Sequence, residues 1–336
     1  SRHTDLKYSR DKLLELIAIN ETELKVLQGD FSHLPSGDQF KSANHDFTQD
    51  IDMFGANSFF QYCNRTSLHE GTLFLADLLS TNTISDIPNK QEAVKELSGM
   101  TGFRQNFGAT AKRINTITEN KTILKWIAGY EPGISKKYKF IPALFSTLSA
   151  LTGVGYVYFT IPGEVLFGVF LSGLILTGVH LSRINKIAIN TAKVQDTFEQ
   201  YGKLMELITQ QNFTSEMLKK QALPLQSDLV KVGKEMARFS GYLSKLDQRN
   251  NMLFGVVANA FLLWDIRQCY AIEQWLKQNK DAVASWFKAV SFFDAYASLG
   301  NFDFNHKSFV YPSIAQNAGI QFESLAHPLL TNRQPI

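Results

Sequence analysis

Apolar residues near the start of the chain recur with the period of an α-helix. The residues that share this face are Leu13, Leu16, Ile17, Leu24 and Leu27. Gly29 is suited to end the helix, and turn residues follow it over 35–38. The pattern predicts an amino-terminal helix and loop over residues 1–49.

Short helices are expected next, because capping residues precede apolar runs. Asn57 or Ser58 can cap one helix. Ser67 and Glu70 have the spacing of a capping box, in which the Ser67 hydroxyl accepts from the N–H three residues on and Glu70 reaches back. Pro88 suits the first turn of a further helix. These signals predict a series of short helices in the first third of the chain.

Helical periodicity dominates the remaining sequence. It covers the segments 101–137, 183–221 and 227–299. After Gly300 the character changes, and residues 309–312 and 320–322 have the pattern of extended strands. The predicted fold is therefore mainly α, with 300–336 as the β-containing start of a second domain.

One strongly apolar block interrupts this ordinary pattern. Residues 140–182 number 43 and carry a single formal charge, Glu164. The turn residues Pro162-Gly163-Glu164 divide the block into two apolar stretches, and a helix needs about 20 apolar residues to cross a bilayer. The block predicts a membrane hairpin over 139–183. A helical hairpin buried in a soluble core is the alternative, because Pro142 and Gly153 interrupt the first stretch.

Basic residues flank the block on both sides. They are Lys136, Lys137 and Lys139 before it and Arg183 and Lys186 after it. By the positive-inside rule both ends lie in the cytoplasm and Glu164 lies outside. The same cations are candidate contacts for phosphate groups or for a membrane surface.

Small residues recur within the block at helical spacing. Ser149 and Gly153 form one such pair, and Gly168 and Ser172 form another. This spacing allows helices to approach closely in lipid.

Composition adds little beyond excluding some classes. The 44% hydrophobic content excludes a disordered chain, and a net charge of +3 is too small to indicate nucleic acid as a partner. Cys63 and Cys269 fit no metal or redox motif, so a reduced cytosolic compartment is the default and a disulfide stays open. The chain starts Ser1-Arg2-His3 without a signal-peptide pattern, and we expect it to be a piece of a longer protein.

The sequence contains none of the common catalytic or nucleotide-binding motifs. The densest polar group comprises His45, Asp46, Asp50 and Asp52, which could ligate a metal but whose residue types also cap turns. His327 before Pro328 fits a turn better than a ligand site. We therefore expect no catalysis, no cofactor and no metal in this chain itself.

Several short segments resemble the MutS family of mismatch-repair proteins. They are Asp50-Ile51-Asp52-Met53-Phe54-Gly55, Ser58-Phe59-Phe60-Gln61-Tyr62-Cys63-Asn64-Arg65-Thr66 with Gly71, Gln91-Glu92-Ala93-Val94-Lys95-Glu96-Leu97, and Phe293-Asp294-Ala295-Tyr296-Ala297-Ser298-Leu299. Tyr311-Pro312 and His327-Pro328-Leu329 resemble the approach to the family's ATPase domain. The apolar insertion and Arg249-Asn250-Asn251-Met252-Leu253 are similar to the MutS-related subgroup with predicted membrane segments.

The resemblance implies a helical core with long lever helices. Residues 50–138 would be the first part of the core, 184–299 the lever return and second part, and 300–336 the start of a truncated ATPase domain. The apolar hairpin would take the lever or clamp position, where the family grips DNA. The amino-terminal mismatch-reading domain has no counterpart here, which puts mismatch recognition in doubt.

The resemblance also implies the properties of the parent protein. The parent would be a DNA-dependent ATPase that binds ATP and Mg²⁺, dimerises through the missing ATPase domain and contacts double-stranded DNA. It would be cytoplasmic, with residues 140–182 attaching it to the inner membrane. The alternatives are a membrane-anchored helical scaffold with no DNA role and a small-molecule enzyme.

Overall fold

The computed structural model describes residues 2–113, 120–192, 194–226, 232–314 and 319–329. These residues form α-helices joined by turns and short 3-10 segments, and they include no strand. The expectation of a mainly α fold is confirmed. The helices of the described residues are α1 (Arg2–Leu27), α2 (Phe59–Cys63), α3 (His69–Ser80), α4 (Ile87–Gly99), α5 (Thr101–Ala111), α6 (Asn120–Ala128), α7 (Ile141–Tyr158), α8 (Gly163–Val179), α9 (Leu181–Ala192), α10 (Gln195–Thr209), α11 (Glu216–Ala222), α12 (Val232–Asp247), α13 (Met252–Leu262) and α14 (Trp264–Asn305).

Local capping chemistry explains where several helices begin and end. The Ser58 hydroxyl accepts a hydrogen bond from the N–H of Gln61 at 3.1 Å and so starts α2. Pro88 lies in the first turn of α4, as predicted. Helix α1 ends at Leu27, and Gly29 follows with a φ of 91° that favours glycine.

The predicted capping box at Ser67 and Glu70 is wrong. Helix α3 begins at His69, and the buried Ser67 hydroxyl has no hydrogen-bond partner among the described residues. Asp294, which lies far away in the sequence, instead accepts from the N–H of Ser67 at 3.0 Å and of Leu68 at 2.9 Å. Asp294 thus accepts from the N–H of Ser67, the group that the capping box assigns to the side chain of Glu70.

The predicted β-containing segment after Gly300 is not found in the described residues. Helix α14 continues through Gly300 to Asn305, and 306–314 and 319–329 contain no strand. A Cβ atom at Gly300 would come within 3.0 Å of Cβ of Leu97. Gly300 therefore permits close packing of two helices rather than ending one, which explains why the sequence suggested a boundary there.

The chain divides into two compact units. The first comprises Ser1–Ile114, Leu204–Gln226 and Phe287–Ile336, and the second comprises Asn115–Lys203 and Ser227–Trp286. Each unit is therefore built from segments that are not contiguous in the sequence. Helix α14 contributes residues to both units, since its 42 residues cross position 286.

Aromatic side chains fill both cores. In the first unit Phe54 and Phe60 pack with ring centroids 5.3 Å apart, and Phe213 stacks on Phe293 at 5.1 Å. In the second unit Phe239 stacks on Trp275 at 4.0 Å. Burial of such large side chains supplies the main favourable free energy of folding.

We predict that Gly71→Ala destabilises the first unit. A Cβ atom at Gly71 would lie 2.0 Å from Oδ2 of Asp294 and would displace the carboxylate from the start of α3. Two buried N–H groups would lose their acceptor, which costs about 1–3 kcal/mol. Thermal unfolding followed by circular dichroism measures the loss.

Gly102→Ala is the matched control for this prediction. Gly102 lies in α5, and no atom lies within 4 Å of the position that its Cβ would take. We expect this variant to be equally or more stable than the parent, by up to about 1 kcal/mol, because alanine favours helix. Equal effects of the two substitutions would contradict the proposed role of Asp294.

Candidate functional site

The apolar hairpin, defined as α7, α8 and the turn between them, exposes large hydrophobic side chains. Leu144, Leu151 and Ile175 are 73%, 63% and 65% exposed. The buried positions of its helices are instead small or hydroxyl-bearing, and they comprise Pro142, Ser149, Thr152, Gly155, Gly173 and Thr177. Contiguous apolar surface of this kind marks a membrane or protein contact site.

Helix α7 is long and apolar enough to cross a membrane. Its 18 residues span roughly 27 Å at the α-helical rise, close to the thickness of the hydrocarbon layer. Hydroxyl groups within it are satisfied internally, since Ser149 donates to the carbonyl of Phe145 and Thr152 to that of Leu148, both at 2.9 Å. Internal satisfaction of polar groups is what a bilayer core requires.

The second arm is shorter than the sequence suggested. Helix α8 ends at Val179, and it passes the same test of length and composition only together with α9, across a bend of 65°. The two basic flanks of the hairpin are adjacent, because the hydroxyl of Tyr138 and Nε2 of His180 are hydrogen-bonded at 2.7 Å. The start of α7 and the end of α8 are thus neighbours, and together they form the base of the hairpin.

Three of the predicted contact residues lie together at this base. Lys136, Lys137 and Lys139 form the 3-10 segment Lys136–Lys139 and are exposed. The ammonium group of Lys139 lies 5.2 Å from the ring centroid of Phe140, the first apolar residue of the block. These lysines are placed to contact anionic groups next to the hairpin.

A buried carboxylate, Glu273, holds the loop that carries these lysines. Its side chain is fully buried. It accepts from the N–H of Gly133 at 3.0 Å and of Ile134 at 2.8 Å, and from the hydroxyl of Tyr130 at 3.0 Å. Burial, and then the charge of Glu273, raise the pKa of Tyr130, so the phenol remains protonated and donates.

Arg183, the fourth predicted contact residue, is engaged inside the second unit. Its guanidinium donates to Glu273 at 3.0 Å and to the carbonyl of Glu131. Arg183 therefore neutralises a buried charge and fixes the loop. Lys186, the fifth residue, is exposed and lines a small surface cavity with Trp126 and Tyr130.

The sequence analysis missed a third apolar helix beside the hairpin. Helix α13 packs against α7 and α8, and its exposed positions include Met252 and Leu253. Residues 252–264 carry no charge, and this uncharged run is the feature of the sequence that could have indicated the helix. Its 11 helical residues are too few for the length rule that identified the hairpin.

Of the small residues noted in the sequence, Ser149 is buried, whereas the two glycines have no close neighbour. No atom lies within 4 Å of the Cβ positions of Gly153 and Gly168. A Cβ atom on Gly173 would instead lie 2.1 Å from the backbone oxygen of Ala260 in α13. The backbones of α8 and α13 therefore approach closely at Gly173, a residue that the sequence spacing did not select.

In the first unit, two segments that carry the family resemblance come together. Asp294 accepts from the backbone of Ser67 and Leu68, as described above. The Ser298 hydroxyl accepts from the N–H of Arg65 and donates to the carbonyl of Cys63, both at 2.8 Å. These contacts join residues that are more than 220 positions apart.

A cavity of about 250 Å³ adjoins this junction and is lined by Arg65, Arg104 and Asp294 among others. Burial raises the pKa of Asp294 to about 7, against the opposing effect of its two N–H donors. Arg104 donates to the carbonyls of Leu97 and Ser98 at the end of α4. Asp294 and Arg104 therefore satisfy helix ends, whereas Oγ of Ser67 and Nε of Arg104 are buried without a hydrogen-bond partner among the described residues.

The remaining candidates from the sequence are not gathered into a site. His45 accepts at Nδ1 from the N–H groups of Phe47 and Thr48 at 3.4 Å, and in the described residues no group of three or more acidic, histidine or cysteine side chains could hold a metal ion. Asp46, Asp50 and Asp52 lie in the same turn-rich segment. His327 accepts from the N–H of Leu329, and Cys63 and Cys269 are free and buried thiols.

Comparison with protein-family models, curated proteins and solved structures gives no match for this chain.

We predict that Glu273→Ala loosens the loop at the base of the hairpin. The substitution leaves the N–H groups of Gly133 and Ile134 without their acceptor and Arg183 without its partner. Breaking a buried ion pair costs about 3–5 kcal/mol. Denaturant unfolding measures the loss of stability, and trypsin cleavage after Lys136 and Lys137 reports release of the loop.

Glu199→Ala serves as the control in the same unit. Glu199 pairs with Lys203 on the surface, with both side chains partly exposed. Such pairs contribute at most about 1 kcal/mol, and this loop should remain protected from trypsin. Unchanged cleavage in Glu273→Ala would contradict the anchoring role of the carboxylate.

Proposed function

We propose that this chain is the core and lever region of a MutS-like DNA mismatch repair ATPase that a membrane hairpin anchors. The observation that supports the family is the junction in the first unit. Two segments selected only by their resemblance, around Arg65 and around Ser298, meet there through specific hydrogen bonds. A chance resemblance gives no reason for distant segments to form one contact.

In this proposal the chain couples the ATP state of the parent protein to DNA binding. ATP and Mg²⁺ bind in the parent's ATPase domain, through which two copies associate, and this chain contributes no catalytic group. Helix α14 is the strongest candidate for a lever. It provides Glu273 to the second unit and Asp294 to the first, so its movement would act on both.

The apolar hairpin anchors the parent to the cytoplasmic face of the inner membrane in this proposal. Its exposed surface consists of large apolar side chains, which match acyl chains and offer nothing to DNA phosphates. The exposed lysines at its base would lie at the level of the anionic headgroups. Glu164, in the first turn of α8, would lie on the far side.

A membrane-anchored scaffold without a DNA role is the second candidate. The observation that favours it is the use of Arg183, which pairs with a buried carboxylate and leaves only exposed lysines as phosphate contacts at the base of the hairpin. A DNA clamp relies on several cations that neutralise phosphates together. The two candidates share the membrane anchor and differ in their response to DNA.

ATP hydrolysis by the full-length protein in lipid vesicles distinguishes the two candidates. We expect hydrolysis whose rate changes on addition of duplex DNA, with a weaker response as salt increases, because phosphate contacts release counterions. Hydrolysis indifferent to DNA favours the scaffold, and absence of hydrolysis contradicts the ATPase assignment.

Flotation with lipid vesicles tests the anchor independently. Leu148→Asp with Leu151→Asp places two charges on the exposed face of α7, where Leu148 and Leu151 are 52% and 63% exposed. Each charge costs about 2.5–3.5 kcal/mol at the centre of a spanning helix, so we expect loss of flotation. Ile84→Asp, at a 77% exposed position of the first unit, should still float. An intact chain that is monomeric in buffer without lipid or detergent would contradict the anchor.

A further inference from the structure

Helix α13 presents an apolar surface to its surroundings. Met252 and Leu253 at its start are 82% and 77% exposed, and Val257 and Leu262 are also exposed. The nearest charged residues are Arg249 before the helix and Asp265 after it, and these two form an ion pair at 3.1 Å. A surface helix of a soluble protein would carry charged side chains on this face.

Two asparagine side chains serve backbone groups at the start of α13 and at its junction with α14. The Asn251 side chain accepts from the N–H of Phe254 at 3.2 Å. At the other end, the Asn259 side chain accepts from the N–H of Asp265 at 2.9 Å and donates to the carbonyl of Gly255. Helix ends inside a bilayer need such internal partners, because lipid offers no hydrogen bonds.

Packing joins α13 to the hairpin. The backbone of Ala260 lies against Gly173 of α8, and the rings of Phe261 and Phe170 are 5.8 Å apart. Gly173 lies in the half of α8 that leads to the basic flank at Arg183. The exposed apolar surface of α13 is therefore continuous with that of the hairpin, on the half nearest its base.

We propose that α13 enters the same membrane leaflet as the base of the hairpin and contacts acyl chains as a half-spanning third helix; this inference rests on the proposed membrane anchor. Its 11 residues span roughly 16 Å, about half of the hydrocarbon layer. Trp264 follows the helix, and its indole N–H donates to the carbonyl of Lys245. Tryptophan and basic residues prefer the membrane interface, which places the end of α13 near the headgroups.

Fluorescent labelling of single cysteines in vesicle-reconstituted chain tests this inference. Leu253→Cys reports on α13, Leu151→Cys on the middle of α7, and Ile84→Cys on an aqueous site of matching exposure, since Leu253 and Ile84 are both 77% exposed. The native Cys63 and Cys269 are buried, and burial raises the pKa of the Cys63 thiol to about 12, so a maleimide reacts at the new sites. The label is an environment-sensitive nitrobenzoxadiazole maleimide.

Quenching by spin-labelled phosphatidylcholine gives the depth of each label. We expect a blue-shifted emission at Leu253→Cys with stronger quenching by a spin label near the acyl terminus than by one near the headgroup, because the start of α13 is the end farthest from Trp264. Leu151→Cys in the middle of α7 should show the same order, and Ile84→Cys no quenching.

The possible outcomes separate the inference from the anchor on which it rests. Quenching at Leu151→Cys without quenching at Leu253→Cys overturns the inference and leaves the anchor intact. Absence of quenching at both sites overturns both. Leu253→Cys quenched most strongly by the spin label near the headgroup would also overturn the half-spanning geometry.

Discussion

A single buried carboxylate, Asp294, fixes the start of helix α3 from the far end of the sequence. The contact satisfies two N–H groups that no local side chain serves, and Gly71 provides the space for it. The first unit depends on this contact because its three segments are separated by the whole of the second unit. Glu273 plays the same part in the second unit, where it holds the loop of residues 131–135. Both carboxylates lie on α14. The hydrogen bonds that each carboxylate accepts offset the free-energy cost of burying it.

The sequence predicted the helical class and most local features whose cause is local. Ser58 and Pro88 begin helices where their own chemistry predicts, and the apolar hairpin was visible as a gap in the charges. Features that depend on distant partners were misread. Ser67 and Glu70 have the spacing of a capping box, but Asp294 is the acceptor for the N–H of Ser67. Gly300 resembles a break in the sequence, but it packs closely against Leu97. Local patterns carry no information about such partners.

The residues of the candidate site show the same difference between features with a local cause and features that depend on distant partners. The lysines around residue 137 could be selected from sequence, because clusters of charge beside apolar segments are visible there. The pairing of Arg183 with Glu273 joins positions 90 residues apart, and nothing in the sequence distinguished Arg183 from Lys186. Helix α13 was not selected from the sequence because its 11 residues are fewer than a membrane-spanning helix needs.

The interrupted order of the two units has a consequence for biosynthesis. The hairpin leaves the ribosome before Phe287–Ile336, the last segment that the first unit needs, has been made. Its large apolar side chains point outward and its interior contains small or hydroxyl-bearing residues, so it has little apolar surface to bury within itself. In the proposed membrane-anchored protein, capture of the hairpin by lipid would therefore precede closure of the first core, and failure of capture would leave incomplete cores exposed to aggregation.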